Sequence, residues 1–212
     1  ILNKLFANQY EIKVDVFDAK DFGVPQYRKR SIIRMYRKGL SWPEPKKSKK
    51  IITLKDSIGH LPSLESGQDS GIKYHYAKKH NDRDVHALMH TSEGKSALLN
   101  KVHYPKRADG KRISGFHNTY KRMSWNEPAK ARTTNCGNIG SHNNVHPGKK
   151  LKNGTYSDAR VLTLLETFIV SSIPQNIDLP DWASDAFIRK MIGEAIPPLM
   201  CKKILETIGS KS

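Results

Sequence analysis

Cysteines, acidic residues and long apolar runs are all scarce in this sequence. Two cysteines in 212 residues are too few for a disulfide framework in a chain of this size and suit a reducing compartment. No apolar run approaches the roughly 20 residues that span a bilayer, and no signal peptide is visible. Hydrophobic residues make up 37% and aromatic ones 8%, which allows a core but a modest one. The length allows one large domain or one and a half small ones. An initiating methionine is also lacking. With Ile1 first, we expect a processed piece, a trimmed version, or the ordered part of something longer.

The shortage of acid is the most informative of these. Lys and Arg number 37 against 20 Asp and Glu, a net charge of +17, which points to a polyanionic partner and above all to nucleic acid. The excess is unevenly spread. Residues 1–50 carry +8, 51–100 are neutral, 101–150 carry +9, and 151–212 are neutral again. A uniformly solubilising surface would not divide this way; a bipartite phosphate-binding surface would.

Residues 10–17, Tyr-Glu-Ile-Lys-Val-Asp-Val-Phe, alternate as a strand does, and so do residues 31–36. Together they predict an antiparallel hairpin. "WPEPKKSKK", 42–50, reads as a linker without regular structure. From about 53 to 156 there is no long period, only fragments such as "LKDSIGHLPSL" that suit one helical turn. Thr163 and Glu166 fit a capping box. "SDAFIRKMIG", 184–193, predicts a helix capped by Ser184 or Asp185. Pro197-Pro198 suits a fresh helix start, with Leu199, Met200, Ile204, Leu205 and Ile208 as its buried stripe.

Three ordered motifs carry a resemblance. "AKDFGVPQYRKR", 19–30, resembles the eighth conserved motif of the C5-cytosine DNA methyltransferases. By that resemblance Gln26, Arg28 and Arg30 lie beside the catalytic pocket and the DNA backbone. "RVLTLLE", 160–166, resembles the ninth motif, with Arg160, Thr163 and Glu166 in structural positions; Leu165 stands where the family often has arginine, and "VSSIP" replaces the usual "LQGFP". "IGEAIPP", 192–198, is similar to the tenth motif, so Glu194, Ala195 and Ile196 would complete a pocket for S-adenosylmethionine (SAM). Glu194 replaces the usual asparagine. A Gly turn entering a Pro-started helix would also offer free N–H groups at a positive dipole end.

In this family the target-recognition domain lies between the eighth and ninth motifs, which here is the irregular middle. "GFHNTYKRMSWNEP", 115–128, interleaves aromatic, amide and basic side chains. Amides pair two-point with adenine and arginines with guanine, while lysines hold phosphate. The expected DNA contacts are Arg28, Arg30, His117, Asn118, Tyr120, Lys121 and Arg122. To these are added Arg132, Thr133, Asn135, Asn138, Ser141 and Asn143, around the Gly turns of "NCGNIGSHNNVHPG". "PAKARTT", 128–134, stands where the family has P-x-x-T-I-T, with Ala131 and Arg132 departing from it. A solvated basic loop is the plainer alternative. Cys136, His142 and His146 invite a zinc reading, but a structural site wants four well-spaced ligands, so no metal is expected.

The family's reaction needs a cysteine thiolate to attack C6 of a flipped cytosine. It also needs an acidic residue at N3 and SAM as methyl donor. The Pro-Cys loop, the Glu-Asn-Val strand and the F-x-G-x-G turn that supply these have no counterpart here; Cys136 follows Asn135, and Cys201 falls in the last helix as a packed thiol. The resemblance therefore implies the α/β C-terminal part of a SAM-dependent methyltransferase fold, a hairpin and terminal helices with an inserted loop-rich domain. Its divisions would be 1–50, 51–156 and 157–212. The implied partners are double-stranded DNA and an N-terminal catalytic half, which would bind most of the SAM, in the bacterial cytoplasm within a restriction-modification system. The chain alone would be inactive. A stand-alone DNA-binding module is the competing expectation; an RNA-binding protein would explain the charge but not the three motifs.

Overall fold

The computed structural model describes residues 1–208. The expected hairpin is present and slightly longer than its alternation indicates. Strand β1 (Tyr10–Asp18) pairs antiparallel with β2 (Lys29–Arg37), placing Val14 opposite Ile33 and Phe17 opposite Arg30. A 3-10 turn, Ala19–Phe22, follows β1 and closes at Gly23 with φ +82°, a left-handed backbone that glycine adopts without a Cβ clash.

The helices among the described residues are short: α1 (Leu2–Phe6), α2 (Leu54–Ile58), α3 (Asp82–Met89), α4 (Leu164–Val170), α5 (Asp185–Glu194) and α6 (Pro198–Leu205). Local chemistry sets their starts. Thr53 and Asp56 form a capping box on α2, and Thr163 and Glu166 form the expected one on α4. Ser184, rather than Asp185, caps α5, its hydroxyl accepting from the Phe187 N–H at 3.2 Å. Pro197 precedes α6 and Pro198 opens it. The sequence did not announce α1 or α3.

Packing ties the ends of the chain together. Phe17, Phe22 and Val24 bury against Met200 and Ile204 of α6. The expected α6 stripe is corrected in part: Leu205 and Ile208 are each 55% exposed, because the helix ends at Leu205 and only one face meets the hairpin. The stretch 42–50 has no helix or strand, yet Trp42 is anchored. Its Nε1 donates to the Ile204 carbonyl at 3.2 Å, and Arg34 donates to the carbonyls of Trp42 and Pro43, both at 2.8 Å.

Helix α4 lies between two further clusters. Leu54 and Ile58 of α2 pack with Leu162 and Val170 on one side; Leu164 and Phe168 pack with Ile188 and Ile192 of α5 on the other. A fourth cluster, around Leu88, Ile139, Val145 and Val161, orders the irregular middle. No helix of the described residues is long and apolar enough to cross a membrane.

Candidate functional site

The turn at Gln26–Arg30 sits where three parts of the chain meet. Gln26 forms a parallel bridge with Ala129, and the Tyr27 N–H donates to the Ala129 carbonyl at 2.8 Å. The buried Gln26 amide nitrogen donates to the Val170 carbonyl at 3.2 Å and to Ser171 Oγ at 3.1 Å, at the end of α4. Its Oε1 is buried without a partner. Arg28 is 3% exposed. It donates to the carbonyl of Arg132 at 2.8 Å and to those of Gly193 and Ala195, both at 2.6 Å. Burial, then the charges of Arg30 and Arg132, lowers its pKa to about 10. Arg28 is thus a buried cation that joins the hairpin turn to two distant segments, a correction to its expected contact with DNA. Arg30 is half-buried on β2, donating to the carbonyl of Lys29.

A second buried assembly surrounds the start of α4. Arg160 donates to both carboxylate oxygens of Glu166, at 2.7 and 3.0 Å, to Asp158 at 2.9 Å, and to the Leu64 carbonyl at 2.7 Å. Burial opposes ionisation of Glu166, but Arg160 wins and holds its carboxyl below the usual range. Asp158 takes a left-handed backbone, φ +50°, which is strained for a non-glycine residue. Ser63, Ser157 and Arg160 hold it there through its carboxylate. His146 lies 3.6 Å from Glu166 and 3.8 Å from Asp158. Burial and then Arg160 push its pKa down to about 4, so it is neutral at pH 7. Asp158 and His146 were not singled out as members of this assembly from the sequence.

The structure brings together the two stretches expected to meet DNA. Thr119 bridges His142, and the Asn143 N–H donates to the Asn118 carbonyl at 2.7 Å. His117, Asn118, Asn135 and Asn138 are exposed, while Tyr120, Lys121, Thr133, Ser141 and Asn143 are half-buried. Arg122 and Arg132 correct the expectation. Arg122 is wholly buried, donating to the carbonyls of Leu88, His146 and Asp158. Arg132 is buried and donates to the carbonyls of Lys130 and Asn143. Both guanidiniums replace backbone partners that irregular segments lack. The exposed cations of the +9 block are instead Lys101, Lys106, Arg107, Lys111, Arg112, Lys149 and Lys150, present in the sequence but not singled out.

Cys136 and His146 are buried while His142 is exposed, and these three do not converge. Among the described residues, the three-ligand group is His86, His90 and His103.

Gly193 closes the last turn of α5 rather than forming a turn of its own. A Cβ there would lie 2.4 Å from the Thr134 backbone nitrogen and 2.5 Å from the Thr133 carbonyl carbon. Glycine therefore lets α5 press directly on the "ARTT" segment. Glu194, Ala195 and Ile196 are exposed. Ala195 and Ile196 border a recess of about 60 Å³ with Gln26, Arg28 and Pro197. Pockets for drug-sized ligands run to roughly 300 Å³ or more, so this recess alone cannot enclose one. One N–H at the start of α6 is already used: Leu199 donates to Ser172 Oγ at 3.1 Å. Arg189 was also missed from sequence. It is buried, its Nε donates to Asp185 at 2.7 Å, and both its Nη atoms lack partners.

A mixed α/β chain with a small antiparallel hairpin is consistent in fold with methyltransferases. The family model "C-5 cytosine-specific DNA methylase" matches residues 1–210, and the chain belongs to that family. It is 45% identical over 212 residues to Type II methyltransferase M1.HgaI of Avibacterium volantium, covering 100% of this chain and 59% of that one. It is 28% identical to Type II methyltransferase M1.HphI of Haemophilus parahaemolyticus, covering 94% and 48%. The chain thus spans about half the length of the curated relatives it matches. In fold it is similar to the Entamoeba histolytica methyltransferase EhMeth, with TM-score 0.55 and 13% identity over 97% of this chain and 55% of that one.

Proposed function

We propose that this chain is the DNA-recognition half of a C5-cytosine DNA methyltransferase. It positions a duplex site, forms one wall of the SAM pocket with Ala195 and Ile196, and works with an N-terminal half that carries the cysteine nucleophile. SAM, when bound, supplies the methyl group; this chain's residues orient the turn beside it. Arg28 holds Ala195 in place, and Gln26 fixes the hairpin turn against the end of α4. Exposed lysines and arginines of residues 101–150 face the phosphates.

One observation carries the reading. The hairpin has an apolar face open to solvent: Val14 and Val16 are each 67% exposed, and Ile33 is 51% exposed. Val14 and Ile33 are direct cross-strand partners, as are Ile12 and Met35. A two-stranded hairpin is marginal alone, and a row of exposed β-branched side chains calls for a covering layer. The rest of a methyltransferase sheet and its helices would provide it. A DNA-binding module complete in itself has no use for such a face.

The experiment is reconstitution. Neither this chain nor a Pro-Cys-bearing N-terminal half should transfer label from SAM to duplex DNA alone, and the mixture should. Robust transfer by this chain alone would overturn the reading. DNA binding with no transfer in any mixture would favour the stand-alone binding module.

A further inference from the structure

The irregular middle contains a group of side chains that the methyltransferase reading does not use. His86 lies in the last turn of α3, His90 is its C-cap, and His103 reaches back from the following loop. The spacing i, i+4 puts the first two on one side of the helix. His86 Nε2 lies 3.0 Å from His103 Nδ1, and the ligand nitrogens of all three lie within 4.8 Å of one another. Nitrogens bound tetrahedrally to zinc at roughly 2.0–2.1 Å sit about 3.4 Å apart. The observed spacing brackets that value; His90 and His103 stack with centroids 3.7 Å apart and planes 17° from parallel, so binding an ion turns these two rings apart until their nitrogens converge.

The frame is built independently of the imidazoles. The Asn100 amide donates to the carbonyl of Ala87 at 3.2 Å, to Thr91 Oγ1 at 3.0 Å, and to the carbonyl of His103 at 2.7 Å. It therefore clamps the backbone of His103 to the end of α3. Helix C-terminal carbonyls favour a cation. The adjoining recess, about 380 Å³, is lined by Asp82, its one carboxylate, and by Arg83 and Lys106, beside His86 and His103. Neutral imidazole is the ligand form, and an all-nitrogen set selects zinc, nickel, copper or cobalt over magnesium or calcium.

We propose that His86, His90 and His103 bind one divalent transition-metal ion of the zinc class, which fixes the base of the basic loop 105–113 on α3. Three protein ligands leave a fourth position for water. Beyond His103 the chain makes a tight excursion in which Arg107 N–H donates to the Lys111 carbonyl at 2.8 Å and Ile113 N–H to that of Pro105 at 2.9 Å. This excursion presents Lys106, Arg107 and Lys111 to solvent. A metal at its base would hold those charges in one orientation.

The test needs neither DNA nor a catalytic half. Titrating the full chain with Co²⁺ and then Zn²⁺ should give one ion per chain, with the visible absorption of four-coordinate cobalt. His103→Gln should weaken binding by about tenfold or more, and His60→Gln, at an exposed histidine outside the group, should not. Zinc should slow amide exchange across residues 100–113. X-ray absorption of the zinc-loaded parent, which needs no variant to fold, should count three imidazoles. No stoichiometric binding, or binding unaltered by His103→Gln, overturns the site. Binding without protection of residues 100–113 overturns the fixing of the loop.

Discussion

The guanidinium of Arg28 donates to the carbonyl of Ala195 at 2.6 Å, so the turn after β1 and the turn before α6 share one buried cation. The same side chain reaches Gly193 and Arg132. Hydrogen bonds to a charged group contribute more than neutral ones, and removing the donor leaves buried carbonyls unpaired. Arg28→Ala should therefore cost about 3 kcal/mol or more. Arg28→Lys, whose single ammonium cannot span all three carbonyls, should fall between. Urea unfolding measures both, and an Arg28→Ala chain as stable as the parent would show that the contacts do not form.

Gly193 sets a steric limit on the same junction. An added methyl would meet the backbone of Thr133 and Thr134, neither of which is the free end of a flexible side chain. Overpacking of this kind typically costs about 1–3 kcal/mol. Gly193→Ala should lower Tm even though alanine is the better helix former. A raised Tm would mean that α5 and the 133–134 segment are not in contact.

The hairpin and the caps were legible because their signals are local. Alternation over residues 10–17 reports a strand, and Thr163 with Glu166 reports a helix start whatever surrounds it. Arg122 and Arg132 were misread for the opposite reason. In sequence they are cations in a +9 block, and only long-range folding gives each a set of carbonyls from segments without regular pairing. Asp158 precedes Arg160 by two residues, but its left-handed backbone and its ties to Ser63 depend on a segment about a hundred residues away. His86 and His90 were passed over because α3 itself was not legible, and only the fold brings His103, seventeen residues on, beside His86.

Acid should weaken the fold in a defined window. His146 has its pKa pushed from 6.5 to about 4, first by burial and then by Arg160. Between those values the unfolded chain binds a proton that the folded chain refuses, so stability falls as pH is lowered. His80, lowered to about 4 mainly by burial, acts with the same sign. The His146 contribution is about 3 kcal/mol between pH 7 and 4. Glu166, held low, adds its own loss below the ordinary carboxylate range. Unfolding free energies of His146→Gln should vary less steeply with pH over this window; an equally steep curve would remove His146 as the cause.

Buried and exposed cations of the middle segment should separate cleanly in one pair of measurements. If the proposed DNA surface is right, Lys111 and Arg107, exposed on the 105–113 excursion, neutralise phosphates and release counterions. Replacing either with Ala should then reduce the slope of log K against log salt by roughly one, with Tm unchanged. Arg122 makes the opposite case. Its guanidinium is spent on the carbonyls of Leu88, His146 and Asp158. Arg122→Met leaves those carbonyls unpaired, so Tm should drop while the salt slope of the folded fraction stays the same. Duplex binding followed across a salt series, with thermal unfolding at each variant, reads both quantities. A salt slope that falls for Arg122→Met in a fully folded chain would mean that Arg122 reaches phosphate. Unchanged slopes for Lys111→Ala and Arg107→Ala would place the DNA away from this loop.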